Sequence, residues 1–273
     1  VILHTHEGIR AIALADGKPI WQVNVSTTGC STPVISGNKL FVATWQNMGE
    51  EGLRQEPPTF EQLLEHDANA NGTIAFQEFP GKYLLFDRPE ARDEQHVSLP
   101  LRMILGMVDA DQDQELTKEE WQTFAQRFST FITDHGLLSI ELGGEGDVTE
   151  THVTVLEKKN IPEVPSPLAH QGRIYMIKNG GIVTCLDAKS GQLLYRKRIS
   201  ASGSYYASPI AVGNHIYLAS GKGVVTVLQA GDKLDVIAKN ELGERIMATP
   251  AAVDETLYVR TNDHLYAFAA APD

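Results

Sequence analysis

Residues 67–78, Asp67-Ala68-Asn69-Ala70-Asn71-Gly72-Thr73-Ile74-Ala75-Phe76-Gln77-Glu78, set out oxygen donors at the spacing a hard cation requires. Such an ion takes about six to eight oxygens, and a twelve-residue loop supplies them from alternate positions and from its last residue. Here Asp67, Asn69 and Asn71 offer side-chain oxygens, Thr73 its carbonyl, Ala75 a water-mediated position and Glu78 both carboxylate oxygens. Gly72 falls where the chain must turn sharply. Residues 109–120 repeat the pattern, with Asp109, Asp111, Asp113, the carbonyl of Glu115, Thr117 and Glu120 in the matching places. Gln114 stands where glycine is expected; a left-handed backbone there costs roughly 1 kcal/mol, which weakens the second site without abolishing it. Both loops predict calcium.

The flanks supply the elements that would hold these loops. Phe60–Leu64 and Leu101–Val108 predict entering helices, and Lys118–Thr133 carries Trp121, Phe124, Ala125, Phe128 and Ile132 on one helical stripe. Pro80-Gly81 is expected to cut short a helix leaving the first loop. Ile74 and Leu116, at equivalent loop positions, are expected to pair across the two loops. Two helix–loop–helix units of this kind are an EF-hand pair, here spanning residues 49–136. Residues 50–150 hold 22 Asp and Glu against 7 Lys and Arg, within a chain of net charge -12. That sign argues against nucleic acid and favours cations. With Met103 and Met107 confined to one entering helix and no methionine-rich groove, the expected role of the ions is structural or constitutive.

The remainder of the chain is built from a repeated phrase. Thr32-Pro33, Ser166-Pro167, Ser208-Pro209 and Thr249-Pro250 are each followed, eight residues after the proline, by Phe41, Tyr175, Tyr217 or Tyr258. The last three prolines lie 42 and 41 residues apart; the first gap is 134. In the cleanest unit, strands are expected near 167–170, 173–178, 182–186 and 192–199, with Asn179-Gly180-Gly181 as a tight hairpin turn. Four short antiparallel strands per repeat of this length predict a propeller blade, whose faces are buried only by neighbouring blades. The chain holds about five blades or part-blades: three strands in 1–25, an interrupted blade in 31–160, complete blades in 165–199 and 207–240, and three strands in 248–268. The propeller is therefore assigned to 1–48 and 137–273, with the EF-hand pair between the second and third strands of one blade. The first part-blade lacks its innermost strand, so further N-terminal blades of the same protein are expected to complete a ring of about seven or eight.

The pattern Ser166-Pro167…Ile174-Tyr175…Gly180-Gly181…Val183-Thr184-Cys185-Leu186-Asp187-Ala188-Lys189-Ser190-Gly191, with Asp16-Gly17 leading to Trp21, resembles the pyrroloquinoline quinone (PQQ)-like β-propeller repeats. The resemblance covers about 1–45 and 137–270, and is strongest to secreted, multi-bladed bacterial proteins carrying an inserted EF-hand pair. That superfamily includes quinoprotein alcohol dehydrogenases and the lipoprotein scaffold of the outer-membrane β-barrel assembly machinery. The resemblance implies an exported protein, periplasmic or extracellular. A quinone site would imply adjacent cysteines and a cofactor-facing tryptophan. Cys30 and Cys185 are far apart and read as small buried hydrophobes, so this chain is not expected to hold PQQ. An oxidoreductase with its catalytic residues in earlier blades stays open as the alternative.

Loops joining successive blades converge on one face, where Glu163, Tyr205, Tyr206 and Arg245 suit a peptide, protein or glycan ligand. The sequence shows no zinc-protease motif, nucleophile elbow or phosphate loop, and no apolar run of membrane-spanning length. The expected function is a calcium-binding propeller acting as an interaction or scaffold module.

Overall fold

The computed structural model describes residues 1–46, 49–50, 52–87, 98–130 and 134–269. The chain divides into two compact units, Val1–Glu50 with Asp134–Asp273, and residues 51–133.

In the first unit, β1 (Ile2–Thr5), β2 (Gly8–Ile12) and β3 (Pro19–Asn24) form an antiparallel meander. Four strands build the next sheet: β4 (Val34–Ser36), β5 (Lys39–Thr44), β10 (Gly136–Glu141) and β12 (Val153–Glu157), adjacent in that order. Thr44 pairs with Gly136, so the chain leaves and rejoins this sheet at the same end of two neighbouring strands. β11 (Gly146–Asp147) crosses to the first sheet and pairs in parallel with β3, an addition the repeat did not foretell. The short helix α4 (Thr149–His152) leads into β12. Two regular sheets follow: β13 (Leu168–His170), β14 (Arg173–Lys178), β15 (Ile182–Asp187) and β16 (Leu193–Arg198), then β17 (Ile210–Val212), β18 (His215–Ala219), β19 (Val224–Gln229) and β20 (Val236–Glu241). The last sheet has three strands, β21 (Ala251–Val253), β22 (Thr256–Arg260) and β23 (Leu265–Ala269). The expected hairpin at Gly180-Gly181 is present, with φ of 79° and 73°; a Cβ on Gly181 would lie 2.5 Å from the Ala201 carbonyl oxygen.

Each core lies between two successive sheets, which explains why these strands are apolar on both faces. Along β5, Leu40 and Val42 join Ile9, Trp21 and Val23, while Phe41 and Ala43 join Ile174, Met176 and Leu186. On β14 the alternate pair, Tyr175 and Ile177, packs instead with Ile216 and Leu218. Successive side chains of a strand point to opposite faces, so one strand serves two neighbours. Cys185 is buried in this packing, whereas Cys30 is exposed in the loop before β4, contrary to the expectation that both thiols are buried.

The second unit contains α1 (Phe60–Leu64), the hairpin strands β7 (Leu84–Asp87) and β8 (Ser98–Pro100), a 3-10 turn at Leu101–Ile104, α2 (Leu105–Val108) and α3 (Lys118–Ser129). The strand pair β6 (Ile74–Ala75) and β9 (Glu115–Leu116) joins the two acidic loops. Trp121 is buried, donates from Nε1 to the Pro58 carbonyl at 2.8 Å and packs on Phe79 and Phe124. Phe128 lies on the same stripe and is also buried, while Ile132 falls outside the described residues. After the first loop the chain turns at Phe76–Glu78 without forming a helix. The β7–β8 hairpin had no counterpart in the sequence pattern.

Candidate metal centre

The two acidic loops close in the same way. In the first, the Gly72 N–H donates to Asp67 Oδ2 at 2.9 Å with φ at 82°, and the Asn71 and Thr73 N–H groups donate to the side-chain oxygens of Asn69 and Asn71. Glu78 reaches back with both oxygens, accepting from the Ala68 and Ala75 N–H groups. In the second, Gln114 N–H donates to Asp109 Oδ2 at 2.9 Å, and Asp113 and Glu115 N–H groups to Asp111 and Asp113. Glu120 accepts from the Ala110 and Thr117 N–H groups at 2.8 and 2.9 Å. It also closes a capping box with Thr117 at the start of α3, so the helix N-terminus and the loop's last ligand position are locked together.

Asp67 Oδ1 is buried with no hydrogen-bond partner among the described residues. Asp109, Asp111 and Glu120 each bring a carboxylate oxygen within 4.8 Å of the other two. Partial desolvation, followed by the charges of Asp113, Glu120 and Asp109, pushes Asp111 above the usual carboxylate range. Desolvation acts the same way on Glu120, but hydrogen bonds from Thr117 and Ala110 outweigh it and hold that carboxyl below its usual value. Converging carboxylates with an orphaned buried oxygen are groups whose charge a hard cation would neutralise, and the residues present fit one in each loop.

The loops are also tied to each other. Ile74 pairs with Leu116, both fully buried, and Phe76 N–H donates to the Gln114 carbonyl at 3.0 Å. Asn71 Nδ2 donates to Glu115 Oε2 at 3.3 Å, and the Thr73 hydroxyl donates to the same oxygen. Gln114 adopts φ of 68°, the left-handed conformation that the missing glycine implied. Gln114→Gly is therefore expected to tighten the second loop's affinity for calcium by up to about fivefold, a strain relief of roughly 1 kcal/mol, measured by calorimetric titration. Met107, Val108 and Phe124 line a cavity of about 340 Å³ beside this loop, with Met103 and Met107 both exposed.

The proposed ligand face is only partly assembled. Arg245 is exposed and its guanidinium lies 5.9 Å from the centre of the Tyr206 ring; Glu163 is half-buried. Tyr205 does not belong to this face. It is 1 % exposed, its hydroxyl donates to the Ala201 carbonyl at 2.7 Å, and burial raises its pKa. Its aromatic bulk fills the core between two sheets rather than a ligand site.

Two polar clusters had no sequence signal. Glu244 accepts from the Thr261 hydroxyl and from Tyr266 at 3.2 Å, and lies 2.8 Å from His264 Nδ1. Glu50, Lys178 and His135 meet inside the first unit: Lys178 Nζ lies 2.6 Å from Glu50 Oε2, the Asn160 N–H donates to Glu50 Oε1, and His135 Nε2 lies 4.0 Å from Glu50.

Successive, mostly antiparallel sheets packed face to face, with few helices, define an all-β fold. The family described as outer membrane protein assembly factor BamB matches residues 102–235, a little under half of the chain. No curated protein matches the chain significantly. Among solved structures, BamB from Moraxella catarrhalis is 13% identical, with 98% of this chain and 57% of that one covered at a TM-score of 0.49. The computationally designed Ika8 protein is 8% identical over 98% of this chain and 54% of its own, with a TM-score of 0.51. The β-propeller domain of Cps50 (Swd1) from Myceliophteria thermophila is 12% identical over 50% and 51% of the two chains, with a TM-score of 0.39. At 8% identity the likeness to Ika8 is one of fold alone, and the chain spans little more than half the length of the first two structures. Among the described residues no helix is long and apolar enough to cross a membrane. Trp21, Trp45 and Trp121 are all buried, and no disulfide joins Cys30 and Cys185.

Proposed function

We propose that this chain is part of an exported, calcium-holding β-propeller that acts as a protein-interaction or scaffold module. In this reading residues 1–48 and 137–273 are propeller, and residues 49–136 are an EF-hand pair set into one blade. Calcium is held by Asp67, Asn69, Asn71, Thr73 and Glu78 in the first loop and by Asp109, Asp111, Asp113, Glu115 and Glu120 in the second. The observation that carries the calcium assignment is the identical closure of the two loops, together with the unpartnered Asp67 Oδ1 and the converging Asp109, Asp111 and Glu120. Two equivalents of calcium in a calorimetric titration support it, and no binding at millimolar calcium refutes it.

The scaffold role is supported by the match to a family described as an assembly factor, and by the Tyr206–Arg245 pair on the loop face. An arginine over an aromatic ring is a favoured contact for polypeptide ligands. Tyr206→Ala and Arg245→Ala are each expected to weaken binding of extended peptides at least fivefold, read by fluorescence anisotropy across a peptide panel. Binding that survives both changes removes this face from the proposal. Further sheets outside this chain complete the ring, and the compartment is periplasmic or extracellular; fractionation of producing cells tests the latter.

A further inference from the structure

The residue before each repeat proline has a task that the repeat alone does not explain. The Thr32 N–H donates to Ser166 Oγ at 2.8 Å, the Ser166 N–H to Ser208 Oγ at 2.9 Å, and the Ser208 N–H to Thr249 Oγ1 at 3.0 Å. Ser166 and Ser208 each give their N–H to the following sheet and take an N–H from the preceding one on their hydroxyl. Proline holds the residue before it in extended backbone, which keeps that N–H available to a partner outside its own sheet. The result is a head-to-tail relay of hydroxyls across four successive sheets.

Both ends of the relay are open. Neither the Thr249 N–H nor the Thr32 hydroxyl has a hydrogen-bond partner among the described residues. Beside Thr249, the last sheet exposes positions that its siblings bury. Tyr175 is 1 % exposed and its hydroxyl accepts the Gly231 N–H of the next sheet at 3.0 Å, whereas Tyr258, the same repeat position, is 37 % exposed. Cys185 is fully buried while its counterpart Ala267 is exposed. This face thus continues the series of sheet-to-sheet interfaces already present in the chain.

We propose that the Ser/Thr–Pro step is a docking code, and that the face formed by Thr249, Tyr258 and β23 receives one further sheet of the same repeat. The incoming sheet places a Ser or Thr hydroxyl on the Thr249 N–H and the turn between its third and fourth strands on the Tyr258 hydroxyl. The inference rests on the reading that more sheets than this chain holds complete its ring.

The test is amide hydrogen exchange, resolved by residue, on the full chain and on a chain in which residues 230–268 and then 230–241 are repeated after Ala269. In the parent chain the Thr32, Ser166 and Ser208 amides are expected to exchange slowly and the Thr249 amide fast. Ser208→Ala should accelerate Ser166, and Thr32→Val should leave all three unchanged. In the lengthened chain Thr249 exchange is expected to slow at least tenfold, and Thr249→Val made in the copy alone should restore it. If the unfolding temperature rises and Tyr258 becomes shielded while Thr249 exchange does not change, the hydroxyl code falls and the reading of further sheets stands. If nothing changes on lengthening, both fall. Protection of Thr249 in the parent chain, together with a dimer in sedimentation, overturns the proposal in favour of a second copy.

Discussion

Calcium added to the metal-free chain is expected to bind at two sites and to raise the unfolding temperature of the helical unit by several degrees. A ligand that binds only the folded state stabilises it by about 2.7 kcal/mol when present at 100 times its dissociation constant. Glu78→Gln and Glu120→Gln are each expected to remove one equivalent in a calorimetric titration, weakening the affected loop roughly 100-fold. Each glutamate ties the second and ninth residues of its own loop together while its charge completes the ligand set. The amide of glutamine can keep one of these contacts but supplies a neutral oxygen in place of a bidentate carboxylate. The loops share Glu115, reached by Asn71 and Thr73, and the Ile74–Leu116 strand pair. Loss of one site is therefore expected to weaken the other by several-fold, and independent sites of unchanged affinity would contradict the shared geometry. Asp111, held above the usual carboxylate range by desolvation and its acidic neighbours, should release protons on binding, so affinity falls as pH is lowered.

What could be read from the chain was what is local or repeated. The strand boundaries around Asn179-Gly180-Gly181 followed from turn chemistry and alternation within a single unit, and the structure places strands at Arg173–Lys178 and Ile182–Asp187. The twelve-residue loops are likewise local, and even the left-handed Gln114 was anticipated from the missing glycine. Residue type and loop position suggest a contact residue at Tyr205, whereas its burial depends on the Ala201 carbonyl and on two sheets closing around it. The parallel strand at Gly146–Asp147 and the hydroxyl relay link residues more than 40 and up to 134 positions apart. Nothing in a single sequence marks such partners. The Ser/Thr before each proline was visible as a repeat, but its purpose became clear only when successive sheets were placed side by side.

The same holds for the buried ion pair, which carries the second large effect. Lys178→Met is expected to destabilise the chain by roughly 3–5 kcal/mol, because it leaves the Glu50 carboxylate buried without its countercharge. The Lys178 side chain is only 3 % exposed and lies 2.6 Å from Glu50. Glu50→Gln combined with Lys178→Met should recover much of that loss, and a double-mutant cycle by urea unfolding measures the coupling. His135 adds a pH dependence. Burial, then the Lys178 charge, lowers its pKa from 6.5 to about 4, and the Gln46 N–H donates to Nδ1, a bond only the neutral ring can accept. The unfolded chain takes up this proton as pH falls through 6.5, while the folded chain resists until about pH 4. The stability from keeping His135 neutral is thus fully present above 6.5 and is lost across that window, by about 3 kcal/mol. His135→Asn, which keeps an acceptor for Gln46 but does not titrate, should flatten the unfolding midpoint between pH 6.5 and 4. A variant with undiminished pH dependence would move the origin of that sensitivity to other groups. Because Glu50 and His135 flank the excursion between β5 and β10, and Lys178 belongs to the following sheet, this cluster fastens both ends of the departing chain to the neighbouring strand layer.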